Sequence, residues 1–479
     1  METDRLTRRA ANLRRRTARA CRLGVALCLL GCGEGEAPVT DSDAPLAGSS
    51  LVLLTLDTAR ADYFSVYGGP EGLTPNVDRL AAGGTVFENA YSQSNVTNPS
   101  HTAILTGLYG IDARILNNFT TFSFAESGSD TLASAFGKLG YRTAAFLAAP
   151  HLSLLALPGF DHAPQASNRA RAGPIVNAAC DWIREQRGEP FFAWVHLFDP
   201  HSPYHAPTAY RSQFYQGDPT RGPGPRFADR ETFGRAADVV RQQFAEVRDP
   251  DYPLAMYRAE MRYVDDQVGE LLGCLQQAGV AEKTGVILVA DHGESLGEHD
   301  IFFGHGGLYE VSLRIPFVVR LPGLPDGNRV EGWATHVDIV PTLEALYGIR
   351  LESSSPRHGR ALTEELQGQP GSGEPRVLIH EHANNLSVAA RKGPWKLVIG
   401  IVDRWWYDTP VRLFNLEQDP DELRNVAEEN PAIVAELEPL LRRWVEAGHW
   451  KLRNSTLEPD ALERLRALGY LDDARGESP

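Results

Sequence analysis

Thr97-Asn98-Pro99-Ser100-His101 places a hydroxyl group just before an apolar stretch that a proline begins. Proline favours the first turn of a helix, and a helix N-terminus offers free N–H groups and the positive end of its dipole to an anion. A threonine there could attack a phosphate ester while the backbone holds the ester oxygens. Taken alone, the pattern is more typical of an N-cap threonine without a chemical role.

Acidic and imidazole side chains follow three apolar runs: Leu51–Leu56 ends at Asp57, Phe191–Phe198 at Asp199-Pro200-His201, and Gly285–Ala290 at Asp291-His292. Such runs predict buried parallel strands, and open α/β sheets place their sites at the carboxyl ends of these strands. Asp and His suit Zn, Mn, Mg or Ca. A metal that contacts the Thr97 hydroxyl would lower its pKa, and this favours a nucleophilic role for Thr97 over a structural N-cap.

The rest of the chain supplies the elements that must position these groups. Helical patterns at 77–82, 131–139 and 257–275 alternate with the strands and predict an α/β fold, with a mostly parallel central sheet flanked by helices. We assign 51–350 to this domain, with 204–253 as a lid or surface insertion because it lacks periodicity. A linker precedes a smaller C-terminal α+β subdomain at 376–475, with strands at 376–380, 395–400 and 411–416 and a helix at 431–447.

The N-terminus has the features of a targeting segment. Residues 5–22 are rich in arginine, and the apolar run at 23–31 is too short for a bilayer, which needs about 20 helical residues. We predict a signal peptide at 1–31. Leu29-Leu30-Gly31-Cys32 resembles a bacterial lipobox, so we expect Cys32 to be lipidated and to anchor the exported protein to a membrane in the periplasm or cell envelope; cleavage nearby without lipidation is the alternative. Residues 32–50 are expected to form a flexible tether.

Charge limits the partners of this 479-residue chain. Its net charge is −15, but without residues 1–31 it has 39 Lys and Arg against 60 Asp and Glu, a net charge of −21. So acidic a surface repels a polyphosphate backbone, which excludes nucleic acid as a general partner. A small-molecule, glycan or lipid ester that is itself anionic needs local positive charge. Beyond residue 31 and apart from Cys32, which is expected to carry lipid, the chain has Cys180 and Cys274, too few for a disulfide framework.

From about 51 to 346 the chain resembles the sulfatase family of the alkaline phosphatase superfamily. The motifs that carry the resemblance are Leu56-Asp57-Thr58-Ala59-Arg60-Ala61-Asp62, Thr74-Pro75-Asn76-Val77-Asp78-Arg79-Leu80, Pro99-Ser100 with Leu105-Thr106-Gly107, Asp291-His292-Gly293-Glu294, His336-Val337-Asp338-Ile339-Val340-Pro341-Thr342 and, more weakly, Leu413-Phe414-Asn415-Leu416 and Leu468-Gly469-Tyr470-Leu471. The resemblance implies an alkaline-phosphatase-like fold, a divalent metal cofactor (Ca, Mn, Zn or Mg) and hydrolysis of phosphoric or sulfuric esters.

Several positions depart from the sulfatase pattern. Thr97 stands where sulfatases have the Cys or Ser that becomes formylglycine, and a threonine cannot yield that aldehyde, so no formylglycine is expected. The other differences are His101 for Arg, Thr58 for the second Asp of a pair, His292 for Asn, Ala149-Pro150-His151 for Lys-Trp-His, and His305 in a region that carries Lys. These changes point toward relatives with an unmodified Thr: nucleotide pyrophosphatase/phosphodiesterases, phosphoethanolamine transferases and lipoteichoic acid synthases.

Those relatives imply roles for the residues of the metal site. A metal would be shared by four residues, Asp57, Thr97, Asp291 and His292, and Thr97 would be the nucleophile of a phosphoesterase that forms a covalent threonine ester. His201 and His305 are candidates for protonating the leaving group or orienting the substrate, and His101 and His151 for binding it.

Alternatives remain open. His201 or His305 could join Asp199 at a second metal, as in two-metal phosphatases. The chain could also be a sulfuric ester hydrolase, a phosphotransferase or a non-catalytic relative.

Overall fold

The computed structural model describes residues 44–118, 129–149, 151–152, 158–164, 170–371, 376–382, 387–400 and 411–447. The predicted signal peptide, Cys32, most of the tether, the final motif at 468–471 and the end of the C-terminal subdomain lie outside these residues. Within the described ranges, no helix is both long enough and apolar enough to span a membrane.

The strands form two main sheets. Their bounds are β1 Ser50–Leu56, β2 Thr85–Tyr91, β3 Arg142–Leu147, β4 Phe191–Leu197, β5 Thr284–Ala290, β6 Ser295–Leu296, β7 Phe302–Gly304, β8 Arg314–Ile315, β9 Phe317–Arg320, β10 Asn328–Thr335, β11 Leu378–His382, β12 Ser387–Lys392, β13 Trp395–Gly400 and β14 Val411–Asn415. In the described part of the chain, eight strands make the central sheet in the order β10-β2-β9-β5-β1-β4-β3, with β8 beside β2. Strands β3, β4, β1 and β5 are parallel, and β9 is antiparallel to its neighbours.

The register of the three central strands brings their carboxyl ends together. Leu56 of β1 pairs with Leu197 of β4 and with Ala290 of β5. The Asp57 amide donates to the Leu197 carbonyl at 2.9 Å, and the Asp291 amide donates to the Leu56 carbonyl at 3.1 Å. The prediction that acidic residues meet at the carboxyl ends of the parallel strands is therefore correct for Asp57 and Asp291.

Helices cover both faces of the central sheet. The described α-helices are α1 Pro75–Ala82, α2 Thr97–Thr106, α3 Gly110–Ala113, α4 Leu132–Lys138, α5 Ala172–Glu185, α6 Thr208–Phe214, α7 Asp238–Phe244, α8 Asp251–Gln277, α9 Glu310–Leu313, α10 Ile339–Tyr347, α11 Thr363–Leu366 and α12 Pro431–Ala447. Phe136 of α4 stacks on Phe192, whereas Trp182 of α5 contacts Phe191. Because successive strand residues point to opposite faces, α4 and α5 lie on opposite sides of the sheet.

The region 204–253 is more regular than its sequence indicates. It contains α6 and α7, and α8 begins within it at Asp251. None of the residues of α6 is buried, so this helix has no apolar stripe that a sequence pattern could reveal. The α8 helix is the one predicted at 257–275, extended at both ends.

In the described part of the C-terminal subdomain, α12 packs against an antiparallel sheet in the order β11-β12-β13-β14. The predicted ranges 395–400 and 431–447 match β13 and α12, and β11 begins two residues later than predicted. Leu437 and Leu441 of α12 share a core with Leu397 of β13 and with Tyr109 from the segment that follows α2. The subdomain therefore packs directly on the part of the chain that contains Thr97.

A buried ionic cluster also joins the subdomain to the central domain. Lys396 of β13 is fully buried and pairs with Glu310 of α9 at 3.1 Å and with Glu422. Arg391 of β12 pairs with Glu310 as well, at 2.5 Å. Buried charges need partners of this kind because unpaired ones are costly.

Candidate active site

Asp57 and Asp291 directly follow β1 and β5 and are the two carboxylates of the site. Both are fully buried. The Oδ1 atom of Asp291 accepts hydrogen bonds from the amides of Thr58 at 3.1 Å and His292 at 2.7 Å, which fixes the carboxylate and turns Oδ2 away from them. Ligand atoms of Asp57, Asp291 and His292 lie within 4.8 Å of one another. These three are thus close enough to share one cation.

His292 presents the ring nitrogen that a metal would need. Its Nδ1 lies 2.9 Å from the carbonyl of Gly293, and since a carbonyl can only accept, Nδ1 carries the proton. The lone pair is then on Nε2, which lies 3.6 Å from Asp291 Oδ2. A backbone carbonyl that fixes the tautomer in this way is typical of metal-ligating histidines.

The electrostatics of this cluster favour a bound cation. Burial raises the pKa of Asp57, and burial together with the Asp57 charge raises the pKa of Asp291. Burial and the nearby His305 lower the pKa of His292. Among the described residues, no hydrogen-bond partner exists for either carboxylate oxygen of Asp57, for Asp291 Oδ2, for His292 Nε2 or for Thr97 Oγ. The four unpartnered atoms of Asp57, Asp291 and His292 form one buried cluster that fits a divalent metal, and the Thr97 hydroxyl is a further buried unpartnered group.

Thr97 is the first residue of α2, and Val96 precedes the helix in an extended conformation. Its side chain is fully buried. The helix end offers fewer free amides than its sequence indicates: Asn118 accepts from the Asn98 amide at 2.8 Å, Pro99 has none, and the Ser100 amide donates to Val96 at 3.1 Å. The helix terminus therefore holds the hydroxyl in place but cannot supply all of the anion-binding donors expected from the sequence.

His101 lies directly beneath Thr97. Its Nδ1 donates to the Thr97 carbonyl at 2.9 Å and lies 3.8 Å from Asp291 Oδ2. Its Nε2 is 3.2 Å from the Thr55 hydroxyl, which in turn accepts from the Trp194 indole N–H at 2.9 Å. Burial lowers the pKa of His101, which is consistent with a neutral ring that makes one hydrogen bond from each of its nitrogens. The expected substrate-binding role stays a prediction, while the geometry gives His101 a positioning role between Thr97 and Asp291.

His196 belongs to the site although nothing in the sequence around it indicates a chemical role. It is the penultimate residue of β4, fully buried, with Nε2 3.4 Å from Asp57 Oδ2. Burial lowers its pKa to about 3, so the ring is neutral. The sequence feature that could have identified His196 is its position near the end of a strand whose carboxyl end faces the site. Its side chain points to the same sheet face as Trp194, two residues earlier.

His201 and His305 lie on the outer side of His292. The ring centroids of His292 and His305 are 4.6 Å apart, and those of His305 and His201 are 5.9 Å apart. His201 stacks on Phe198, and Asn95 donates to the His305 carbonyl at 2.6 Å. Burial lowers the pKa of His305 to about 4. Both predicted acid–base candidates are therefore adjacent to the cluster, and His305 is the nearer.

His151 is buried next to α2. Asn98 donates from Nδ2 to the His151 carbonyl at 3.3 Å, and His151 is among the neighbours that lower the pKa of His101. The structure thus brings together the residues predicted to hold metal, nucleophile and substrate.

Asp199 does not join them. Its Oδ2 accepts from the Ala172 amide, at the start of α5, at 2.7 Å, and burial raises its pKa to about 7. In the described part of the chain, Asp57, Asp291 and His292 are the group of three with metal-ligand spacing. The alternative of a second metal at Asp199 therefore has no support. Glu294, two residues after His292, accepts from the Tyr204 hydroxyl, and burial raises its pKa to about 8.

The fold and this site define an ester hydrolase with an alkaline-phosphatase-like sheet and a buried carboxylate–imidazole centre. A family model described as Sulfatase matches residues 49–349, so the chain belongs to the sulfatase family.

Individual relatives agree with this assignment. The chain is 33% identical over 201 residues to choline-sulfatase of Rhizobium meliloti, a match that covers 41% of this chain and 37% of that protein. It is 26% identical over 451 residues to arylsulfatase K of Bos taurus, covering 82% and 81% of the two chains. The solved phosphonate monoester hydrolase of Agrobacterium radiobacter has a similar fold, with a TM-score of 0.67, 23% identity, and coverage of 83% of this chain and 96% of that one.

Proposed function

We propose that this chain is a metal-dependent phosphoesterase that uses Thr97 as its nucleophile. One observation carries the proposal: the Thr97 hydroxyl is buried without a hydrogen-bond partner among the described residues, at the helix end that His101 ties to Asp291. An N-cap threonine in a structural role would donate or accept at the helix end, and α2 gets that cap from Asn118 instead. The hydroxyl is therefore available for chemistry.

The residues that would hold the metal are Asp57, Asp291, His292 and the Thr97 hydroxyl. A divalent metal there supplies positive charge that lowers the pKa of the hydroxyl and stabilises the ester oxygens. The chain's own residues orient this set: the Thr58 and His292 amides fix Asp291, and Gly293 fixes the His292 tautomer.

The proposed reaction has two steps. Thr97 Oγ attacks phosphorus, the new oxygen–phosphorus bond forms, and the bond to the alcohol breaks with its electron pair going to the alcohol oxygen. The hydroxyl proton passes to water as Thr97 attacks, and an equivalent proton from water reaches the departing alcohol oxygen through His305 on the opposite side of phosphorus; His201 orients the substrate beside it. In the second step a water oxygen bonds to the phosphorus of phosphothreonine, the bond from phosphorus to Thr97 Oγ breaks, and one proton of the water returns to Oγ as phosphate leaves.

The test compares wild type with Thr97→Ala and Thr97→Ser in Ca, Mn, Zn or Mg, on an aryl monophosphate, a bis-aryl phosphate and an aryl sulfate. Thr97→Ala removes the nucleophile and is expected to lower kcat by about 10³-fold or more. Thr97→Ser keeps a hydroxyl and is expected to retain part of the wild-type kcat. Thr102→Ala is the matched control, because Thr102 lies on the same helix and its hydroxyl donates to the Asn98 carbonyl at 2.8 Å. Equal rates for Thr97→Ala and wild type would exclude Thr97 as the nucleophile.

Sulfate esters are the second candidate substrates. The relatives choline-sulfatase and arylsulfatase K favour them by name. In the same assay, turnover of the aryl sulfate above that of both phosphates would assign the chain to sulfuric ester hydrolysis. A threonine that replaces the aldehyde-forming residue favours phosphate, because a threonine sulfate ester cannot collapse as the hydrated aldehyde does.

We also propose that the protein is exported and held to a membrane by lipid on Cys32. The support is the arginine-rich leader, the short apolar run and Leu29-Leu30-Gly31-Cys32. Mass spectrometry of the N-terminal peptide is expected to find acyl chains on Cys32, and Cys32→Ala is expected to move the protein to the soluble fraction. An unmodified Cys32 in the mature protein would contradict this.

A further inference from the structure

The two cysteines of the central domain lie on neighbouring helices. Cys180 belongs to α5, and Cys274 belongs to α8, 94 positions further along the chain. Both side chains are buried, and both are free thiols in this structure. The sequence has no other cysteine beyond Cys32. Whether these two thiols can react with each other depends on the register of the two helices.

Helices α5 and α8 run in the same direction. Each leads into a strand of the parallel group, α5 into β4 and α8 into β5, so both helices return along the sheet in the direction opposite to its strands. Near the start of α5, the Gly173 amide donates to the Tyr263 hydroxyl of α8 at 3.0 Å. A Cβ atom at Gly173 would lie 3.3 Å from Gln267 Oε1, so the two helices approach each other closely at this point.

The helical repeat extends this register to the cysteines. Cys180 comes seven residues after Gly173, and Cys274 comes seven residues after Gln267. Seven residues make almost two complete turns of an α-helix, about 10.5 Å along its axis, so each cysteine lies on the same helix face as the residue seven positions before it. Parallel helices that meet at Gly173 and Gln267 therefore bring Cys180 opposite Cys274.

The two thiols contact each other at that position. A hydrogen bond between them raises the pKa of the Cys180 thiol and lowers the pKa of the Cys274 thiol. Cys274 is thus the more readily ionised of the pair, and the thiolate is the form that attacks another sulfur. A disulfide needs an S–S separation of about 2.05 Å, and the two sulfur atoms approach it from hydrogen-bond contact.

We propose that Cys180 and Cys274 form a disulfide bond when the chain folds in an oxidising compartment, such as the one to which the proposed export would deliver it. Disulfides form and persist outside the cytosol, whereas the cytosol keeps thiols reduced. The bridge does not depend on the proposed ester hydrolysis, because it uses none of the residues assigned to that reaction.

The oxidation requires an acceptor of two electrons, which we identify by class as a protein disulfide of that compartment. The Cys180 thiolate attacks one sulfur of the acceptor, and the acceptor's S–S bond breaks with its electron pair going to the other sulfur. The Cys274 thiolate then attacks the Cys180 sulfur and displaces the acceptor. Both cysteine protons end on the acceptor, which leaves as a dithiol. Because both cysteines are buried in the folded chain, this exchange takes place before folding is complete.

The bridge closes a covalent loop around a segment that contributes to the site. Between Cys180 and Cys274 the chain contains β4, with His196 near its end, then His201 and the region 204–253. A cross-link removes conformational freedom from the unfolded chain, and this effect grows with the length of the enclosed loop. The bridge therefore stabilises the fold by fixing both ends of this long segment to each other.

The first test compares the folded and the unfolded chain in mixtures of oxidised and reduced glutathione. The reduced full chain is equilibrated with each mixture during refolding and, in parallel, in urea. Remaining thiols are then alkylated, and the tryptic peptides 172–184 and 263–283, each with one cysteine, are identified by mass spectrometry. We expect the two peptides to be linked at a ratio of oxidised to reduced glutathione at least tenfold lower without urea than with it. Equal ratios, or alkylation of both cysteines in all of the refolded protein, would overturn the proposal.

The second test uses protein that cells produce with its own leader and that is alkylated during recovery. Linked peptides in this material would support both the bridge and delivery to an oxidising compartment. Alkylated cysteines in this material, together with a bridge after refolding, would reject the export alone.

Thermal unfolding measures what the bridge contributes to the fold. We expect the reduced wild type to unfold about 2–4 °C below the bridged wild type. The double variant Cys180→Ala/Cys274→Ala, which cannot bridge, should have the same Tm with and without reductant. Thr97→Ala should keep the wild-type difference, so loss of ester hydrolysis and loss of the bridge are separable. Equal Tm values for the bridged and the reduced wild type would overturn the stabilising role.

Discussion

The imidazole of His196 lies 3.4 Å from the carboxylate of Asp57, and both side chains are completely buried. Neither ring nitrogen of His196 nor either oxygen of Asp57 has a hydrogen-bond partner in the part of the chain that the structure describes. A metal-ligating carboxylate is usually held by a neighbouring polar group that fixes its orientation. His196 is placed to do this for Asp57, at a site where Thr58 stands in place of a second Asp.

Replacing His196 should therefore weaken metal binding. We expect His196→Leu to raise the Kd for Mn²⁺ or Zn²⁺ by about 10–100-fold, the usual cost of losing a group that orients a ligand. Isothermal titration with the metal-free protein measures this directly. His358→Leu, at a partly exposed histidine, serves as control, and an unchanged Kd in His196→Leu would show that Asp57 does not depend on His196.

Removing the Asp57 charge should stabilise the metal-free protein. Burial raises the pKa of Asp57, and its carboxylate is close to that of Asp291. We expect Asp57→Asn to increase the free energy of unfolding by about 1–3 kcal/mol in a chelator and to remove the stabilisation that added metal gives. Denaturant unfolding with EDTA and with metal tests both halves. Asp181→Asn, at an exposed aspartate, is the control, and lower stability of Asp57→Asn in EDTA would contradict the argument.

Stability should fall as pH rises because of Glu381. Burial raises the pKa of Glu381 to about 8, from the 4.5 that is usual for a glutamate. Between these two values the folded protein keeps a proton that the unfolded chain has lost, so the free energy of unfolding decreases with increasing pH. From pH 5 to pH 8 we expect wild type to lose about 1–3 kcal/mol more than Glu381→Gln does. Equal pH slopes in urea unfolding would show that Glu381 titrates normally.

The buried Lys396 should matter far more than an exposed lysine four residues earlier. Lys396→Met leaves Glu310 and Glu422 buried without their shared cation, and we expect a loss of about 3–5 kcal/mol. Lys392→Met breaks a solvent-exposed pair with Glu436 and should cost at most about 1 kcal/mol. Thermal unfolding compares the two variants, and similar losses would mean that the cluster contributes little.

The sequence was sufficient where local pattern determines structure. Unbroken apolar runs before Asp57 and Asp291 predicted parallel strands, and the structure confirms both strands and the side-by-side position of their ends. The run before Asp199 is also a strand, but Asp199 turns to the start of α5. The end of a strand determines where in the sheet the next residue lies. The direction of that residue's side chain depends on which helix packs nearby.

Other features depend on contacts between distant segments. Asn118 caps α2 from 20 positions further along the chain, and Asn95 reaches His305 across 210 positions. His196 lies within an apolar strand, so its type alone is equally compatible with core packing. Lys396 is the one charged residue of the otherwise apolar strand β13, and the sequence does not show that its partners are Glu310 and Glu422, which are distant along the chain.

The hydrogen bonds that run from Trp194 through Thr55 and His101 to Thr97 have a practical consequence. The indole N–H lies at one end of this series and the proposed nucleophile's backbone at the other. Indole emission responds to changes in its hydrogen bond and in the local electric field. The protein therefore contains an intrinsic fluorophore hydrogen-bonded toward the proposed reacting centre, and we expect the part of the emission that disappears in Trp194→Phe to report occupancy of that site without any attached label.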